Sequence, residues 1–180
     1  MKLNLGSASR LLDGFINIDI ELNSGTEQLD IRNPLPYNDV EIINIAQCLE
    51  HNNIFEAVII LQNCYRALKF GGKIRISVPD IDLILRYYYD NNLRYFSNVQ
   101  PPLFYNVKSE MLRLSFLCLG NLSPDFNRNN YLGHQLLLNF DAVKELLEIT
   151  GFKDIKQVEF NNFYEHEWGK DHSVYIEAIK

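Results

Sequence analysis

The chain has 180 residues, 47% of them hydrophobic and 22% charged, with a formal net charge of −6. A domain of this length can bury a full core, and the acidic balance argues against a nucleic-acid surface, which relies on clustered Lys and Arg. No run approaches the roughly 18 apolar residues of a membrane span, and the opening Lys2-Leu3-Asn4-Leu5-Gly6 has no apolar signal core. Cys48, Cys64 and Cys118 are odd in number and lack metal-ligand spacing. They read as reduced thiols in a cytoplasm, and no metal site is expected.

Lys2 to Leu5 has the makings of a short strand that stops at Gly6. Phe15 to Ile20 alternates apolar and polar residues and reaches an acid, Asp19, as a strand end does. Thr26 to Ile31 forms a third candidate, closed by Arg32-Asn33-Pro34. Two prolines make Leu35 to Asp39 a turn. Val40 to Ile45 is β-branched and reads as a buried strand.

Phe55 to Leu68 has apolar residues at helical spacing (Phe55, Val58, Ile59, Tyr65 and Leu68, with Leu61 less well placed), with Lys69 and then Gly71-Gly72 at its end as a stop signal. Lys73 to Val78 is another strand, broken by Pro79. Residues 91–133 are rich in Asn, Tyr and Pro and look like an insertion between better-patterned halves. Asp141 to Thr150 is a second amphipathic helix, and Ile155 to Phe160 and Ser173 to Ile179 are closing strands. Strands alternating with helices predict a mostly parallel sheet covered on both faces. Between Leu5 and Phe15 there is no room for a crossover helix, so the first connection must shrink to a turn or two.

Ligands of such sheets lie outside the carboxyl ends of the strands, at the point where strand order reverses. That rule selects Gly6 to Arg10, Asp19, Asp30, Ala46 to His51, and Pro79-Asp80. Glycine after a strand lets a ligand approach the backbone, and an acid ending the second strand can accept ribose hydroxyls. Each also has a structural reading, as a turn glycine and a turn acid.

Leu3-Asn4-Leu5-Gly6-Ser7-Ala8-Ser9-Arg10 followed by Gly14-Phe15-Ile16-Asn17-Ile18-Asp19 resembles the opening of compact class I S-adenosylmethionine (SAM)-dependent methyltransferases, of the methyltransferase type 11-like kind. Leu29-Asp30 with Leu35-Pro36-Tyr37 is similar to that family's adenine segment. Leu49-Glu50-His51 matches its leucine-glutamate-histidine, and Arg66-Ala67-Leu68-Lys69-Phe70-Gly71-Gly72 its turn before the fifth strand. The resemblance covers 2–80 well, 134–180 loosely and 91–130 hardly at all.

It implies one α/β domain over 1–180, a Rossmann-like three-layer sandwich. The sheet would have seven mostly parallel strands, the last antiparallel, with an abbreviated first crossover and 91–133 as a lid. Carried over by position, Asn4, Gly6, Ser7, Ala8, Asp19, Asp30, Ile31 and Gln47 would hold S-adenosyl-L-methionine. Two residues depart from the pattern: Ala8 stands where glycine is usual, and Phe70 replaces a proline.

His134, His51 and Asp80 are the candidate general bases for a hydroxyl acceptor. Their structural alternatives stay open, Asp80 as a helix cap and His134 as a loop residue, while Glu50 reads as a cap of the next helix. The resemblance implies a cytoplasmic methyltransferase acting on a small-molecule or glycan acceptor, at oxygen. The alternatives are a protein or nucleic-acid methyltransferase and a non-catalytic SAM-like scaffold, which Ala8 keeps open. The dinucleotide fingerprint G-x-G-x-x-G is absent, which argues against a NAD-linked reductase.

Overall fold

The computed structural model describes residues 1–92, 108–119 and 133–180. Its centre is a seven-stranded sheet of β1 (Lys2–Leu5), β2 (Ile16–Asp19), β3 (Glu27–Gln28), β4 (Val40–Ala46), β5 (Leu68–Pro79), β6 (Lys153–Gln157) and β7 (Ser173–Ile179). The spatial order is β3-β2-β1-β4-β5-β7-β6. All neighbours are parallel except that β7 runs antiparallel to both β5 and β6. This is the expected Rossmann-like arrangement with a reversed last strand. The first crossover contains only turns, held by Arg10 N–H to the Ser7 carbonyl and Phe15 N–H to Leu12.

Period-two alternation sorts the sheet into rows. One face carries Ile16, Leu3, Ile43, Ile74 and Ala178 side by side, then Ile18, Leu5, Ile45, Ile76 and Ile176. Nearly all of these are buried, and they meet α1 (Ile54–Ala67) and α4 (Phe140–Ile149). On the other face, in the same registers, stand Asn17, Asn4, Asn44, Arg75 and Glu177. Asn4 Nδ2 donates to Asn17 Oδ1 at 2.9 Å, and Asn44 Nδ2 donates to Asn4 Oδ1 at 3.0 Å. Arg75 reaches Glu177 at 3.0 Å and Glu165 at 2.5 Å, and also donates to the Glu159 carbonyl. The Tyr164 ring lies against its guanidinium, 5.1 Å from centroid. Segment 158–166 is thereby fastened over the polar row.

Helix α1 begins at a capping box, in which the Asn53 side chain accepts from the N–H groups of Phe55 and Glu56 while the Glu56 side chain accepts from Asn53 N–H. The stripe it buries is Ala57, Ile60, Leu61, Cys64 and Ala67. Phe55 and Ile59, part of the expected apolar stripe, are instead exposed. The inward side combines Ile60 and Leu61 with the small Ala57, Cys64 and Ala67. The helix also ends earlier than its glycines suggest: Leu68 turns extended and pairs with Val40. Gly72 lies within β5, where the pairing with β4 shifts register between Val40 and Ile42, and an added Cβ there would stand 2.9 Å from the carbonyl oxygens of Lys69 and Val40.

The third predicted strand shrinks to Glu27–Gln28, and the sixth shifts to Lys153–Gln157. Between the halves, α2 (Ile81–Tyr89) and α3 (Glu110–Leu119) pack through Ile84 and Leu117, with Tyr87 and Tyr88 against them. Helix α3 is the described core of the predicted insertion; 93–107 and 120–132 lie outside the described residues.

Arg75 is 4% exposed and Glu165 2%. Removing one member of a buried ion pair strands the other charge, at a cost of about 3–5 kcal/mol. Arg75→Met is therefore expected to lower the unfolding free energy by that amount in urea titration, with Arg75→Met/Glu165→Met recovering a large part of it. Equal stability of Arg75→Met and wild type would show that the pair does not hold the segment.

Candidate functional site at the carboxyl edge of the sheet

The chain leaves β1 toward β2 and β3, then returns to β4 on the other side of β1. The strand order therefore reverses between β1 and β4, where an open sheet leaves a crevice for ligands. Gly6 follows β1 with φ +65°, and a Cβ added there would fall 2.3 Å from Cys48 Sγ, just beyond β4. Backbone and thiol therefore touch across the switch, and only glycine fits.

Three expected cofactor residues assemble around that point. Ser7 N–H donates to the Ile18 carbonyl at 3.0 Å. Ala8 N–H donates to Asp19 Oδ2 at 2.7 Å, and Glu21 N–H to Asp19 Oδ1 at 3.0 Å. Asp19 thus ties the ends of β1 and β2 together, and its oxygens, with about four acceptor positions between them, have capacity left for ribose hydroxyls. Ala8 sits at φ +43°, a left-handed conformation that glycine adopts at no steric cost. The buried Ser7 and Ser77 hydroxyls, at the ends of β1 and β5, have no hydrogen-bond partner. These features fit the methionine and ribose end of a SAM-sized group.

Other expected site residues are engaged elsewhere. Asn4 belongs to the polar row and also donates to the Arg10 carbonyl. Asp30 pairs with Arg32 at 2.8 Å; that hydrogen bond holds its carboxyl below the ordinary value, and Arg32 also reaches Glu56. The Ile31 carbonyl accepts from Asn63. Gln47, at φ +52°, directs its amide to Ser173 Oγ at 3.2 Å. Asp80 caps α2 by accepting from Asp82 N–H, and burial raises its pKa.

Two of the three base candidates meet. A 3-10 turn, Leu49–His51, follows β4. The Glu50 carbonyl accepts from the N–H groups of Gln135 and Leu136, and Gln135 Nε2 donates to the His51 carbonyl at 2.7 Å. These bonds clamp segment 133–136 onto the turn and bring the His134 and His51 rings to 5.0 Å, edge to face. Burial first, then the neighbouring His51, lowers the His134 pKa to about 4.

Glu50 is the residue that sequence reasoning assigned to a helix cap. Asn53 performs that task. Glu50 is 1% exposed, and neither carboxylate oxygen has a hydrogen-bond partner. Burial drives its pKa up to about 8 and that of the Cys48 thiol to about 12. The sequence did carry a signal, an acid between Leu49 and His51. Its isolation became visible only when the segment around Leu136 and Leu138 closed over it.

No protein-family model matches the sequence, and no curated protein matches it. Solved structures do. A SAM-dependent methyltransferase from Thermotoga maritima is 16% identical, with 99% of this chain and 81% of that one covered at a TM-score of 0.56. One from Mesorhizobium loti is 13% identical over 99% and 90% of the two chains, at 0.55. Human N-acetylserotonin methyltransferase in complex with SAM is 16% identical at 0.53; this chain spans 47% of its length. The fold is that of the class I SAM-dependent methyltransferases.

An acid whose pKa is higher in the folded state destabilises the fold as pH rises from the unfolded value, 4.5, toward about 8. In chelator-treated protein, Glu50→Gln is expected to melt above wild type at pH 8 and to lose the advantage near pH 5. Parallel melting curves across that window would assign the burden to another group.

Proposed function

We propose that the protein transfers the methyl group of SAM to a hydroxyl of a small-molecule or glycan acceptor. The observation that carries this reading is the meeting of Gly6, Ser7, Ala8 and Asp19 at the switch point of a β3-β2-β1-β4-β5-β7-β6 sheet. The residues that would hold the cofactor are Gly6 and Ser7 at the methionine end and Asp19 at the ribose. Ala8 shapes the loop between them, and Ile31 and Asp30 lie toward the adenine. The sulfonium supplies an activated methyl group, so the protein has to align acceptor and cofactor and exclude water.

The acceptor belongs on the side of Glu50, His51 and His134, the titratable group that lies next to the cofactor residues along the same edge. An oxygen acceptor must lose a proton, and that chemistry needs such a group nearby. Segment 91–133 would choose the acceptor, as loops on a rigid sheet do. Its described residues are 91–92, 108–119 and 133, most of them in α3. Three free thiols and an acidic chain support a cytoplasmic enzyme without a nucleic-acid partner. Among the described residues no helix is long and apolar enough to cross a membrane.

One observation favours a second reading, a SAM-like domain without activity: the Asp30 carboxylate at the adenine end is already paired with Arg32.

Calorimetry with S-adenosylhomocysteine separates the two. Wild type is expected to bind it, and Asp19→Ala to bind at least about tenfold more weakly, the lower bound for losing a hydrogen bond to a charged group. A folded wild-type sample that shows no heat at millimolar ligand would leave the inactive reading standing.

A further inference from the structure

We propose that Glu50, His51 and His134 form a binding site for one divalent transition-metal ion. Each offers one ligand atom, and the three atoms lie within 4.8 Å of one another. Around a tetrahedral ion with bonds of roughly 2.0–2.2 Å they would stand about 3.3–3.6 Å apart, a closure within reach of side-chain rotation. Two imidazoles and one carboxylate select zinc, manganese, iron or cobalt in the divalent state over magnesium, which prefers an all-oxygen shell.

Two independent features support the site. The Glu50 carboxylate is buried with both oxygens unpartnered, and a buried carboxylate is costly unless paired or bound to metal. The backbone is built to hold the group. Gln135 and Leu136 bond to the Glu50 carbonyl and the Gln135 side chain to that of His51, so the ligands from two distant segments are tied on either side of the site.

Three protein ligands leave coordination positions open, as catalytic rather than structural sites do. In the reading above, those positions would take an acceptor oxygen. The metal site itself does not depend on that reading. It was also not foreseen from the cysteines, and it uses none of them.

The test titrates chelator-stripped full-length protein with Co2+ in the absence of SAM, following visible ligand-field absorption. One equivalent of Co2+ is expected to produce the bands, Zn2+ to displace it, and Mg2+ to leave the spectrum unchanged. Sulfur-to-cobalt charge transfer should be absent, which distinguishes the site from Cys48. His134→Ala should lose the bands at one equivalent. Glu50→Gln keeps the shape of the buried side chain and should lose them even if His134→Ala fails to fold. His166→Ala, outside the cluster, should keep them. A wild-type protein with no bands at stoichiometric Co2+, or bands that persist in folded Glu50→Gln, would overturn the proposal. Binding of S-adenosylhomocysteine is read separately, so either conclusion can fail without the other.

Discussion

Arg75 sets the terms for the rest of this molecule. A guanidinium in the middle of a sheet cannot be left dry and unpaired, so residues from two places must come to it. Glu177 arrives from the neighbouring strand β7, and Glu165 and the Glu159 carbonyl arrive from the loop before that strand. The same loop brings the carbonyls of Asn162 and Phe163 to Arg10 and that of Tyr164 to Asn44. A loop that would otherwise be free becomes the cover of one sheet face. That cover sits where the shortened first crossover leaves β1 without a helix.

The division of the sheet follows from the same constraint. Isoleucine and leucine on one face drive burial under α1 and α4. Asparagine and arginine on the other form a bonded row that ties neighbouring strands in register. A one-residue slip would exchange the two faces, burying charge beneath the helices. Register and switch point are thus specified together, and Gly6, Asp19 and the turn Leu49–His51 reach the carboxyl edge at fixed relative positions.

Several of the described buried polar atoms without partners lie at that edge, although Glu110 Oε2 in α3 is another. The Ser7 and Ser77 hydroxyls and the Glu50 carboxylate are buried there without partners, whereas Asn4, Asn44 and Arg75 deeper in the sheet are fully engaged. Buried polar groups without partners call for an explanation, and the proposed cofactor and metal ion supply one for those at this edge.

Local pattern in the sequence determined the elements that depend on neighbours along the chain. Lys2–Leu5 and Ser173–Ile179 occupy the residues their alternation implies, and the Asn4-to-Gly6 and Gly14-to-Asp19 segments place glycine and acid at strand ends. The short first crossover follows from a count of residues alone. Tertiary structure decided what depends on partners far away in sequence. It buried the Ala57, Ile60, Leu61, Cys64 and Ala67 side of α1 and left Phe55 and Ile59 exposed, because which side meets the sheet is not a property of the helix alone. It consumed Asn4 in a row that needs Asn17 and Asn44 in register. It brought His134 across 83 positions to His51 by backbone hydrogen bonds that no residue type announces. Glu50 looked like a cap in one dimension; it became a buried, unpaired carboxylate because a second segment, bonded to its own carbonyl, closed the space around it.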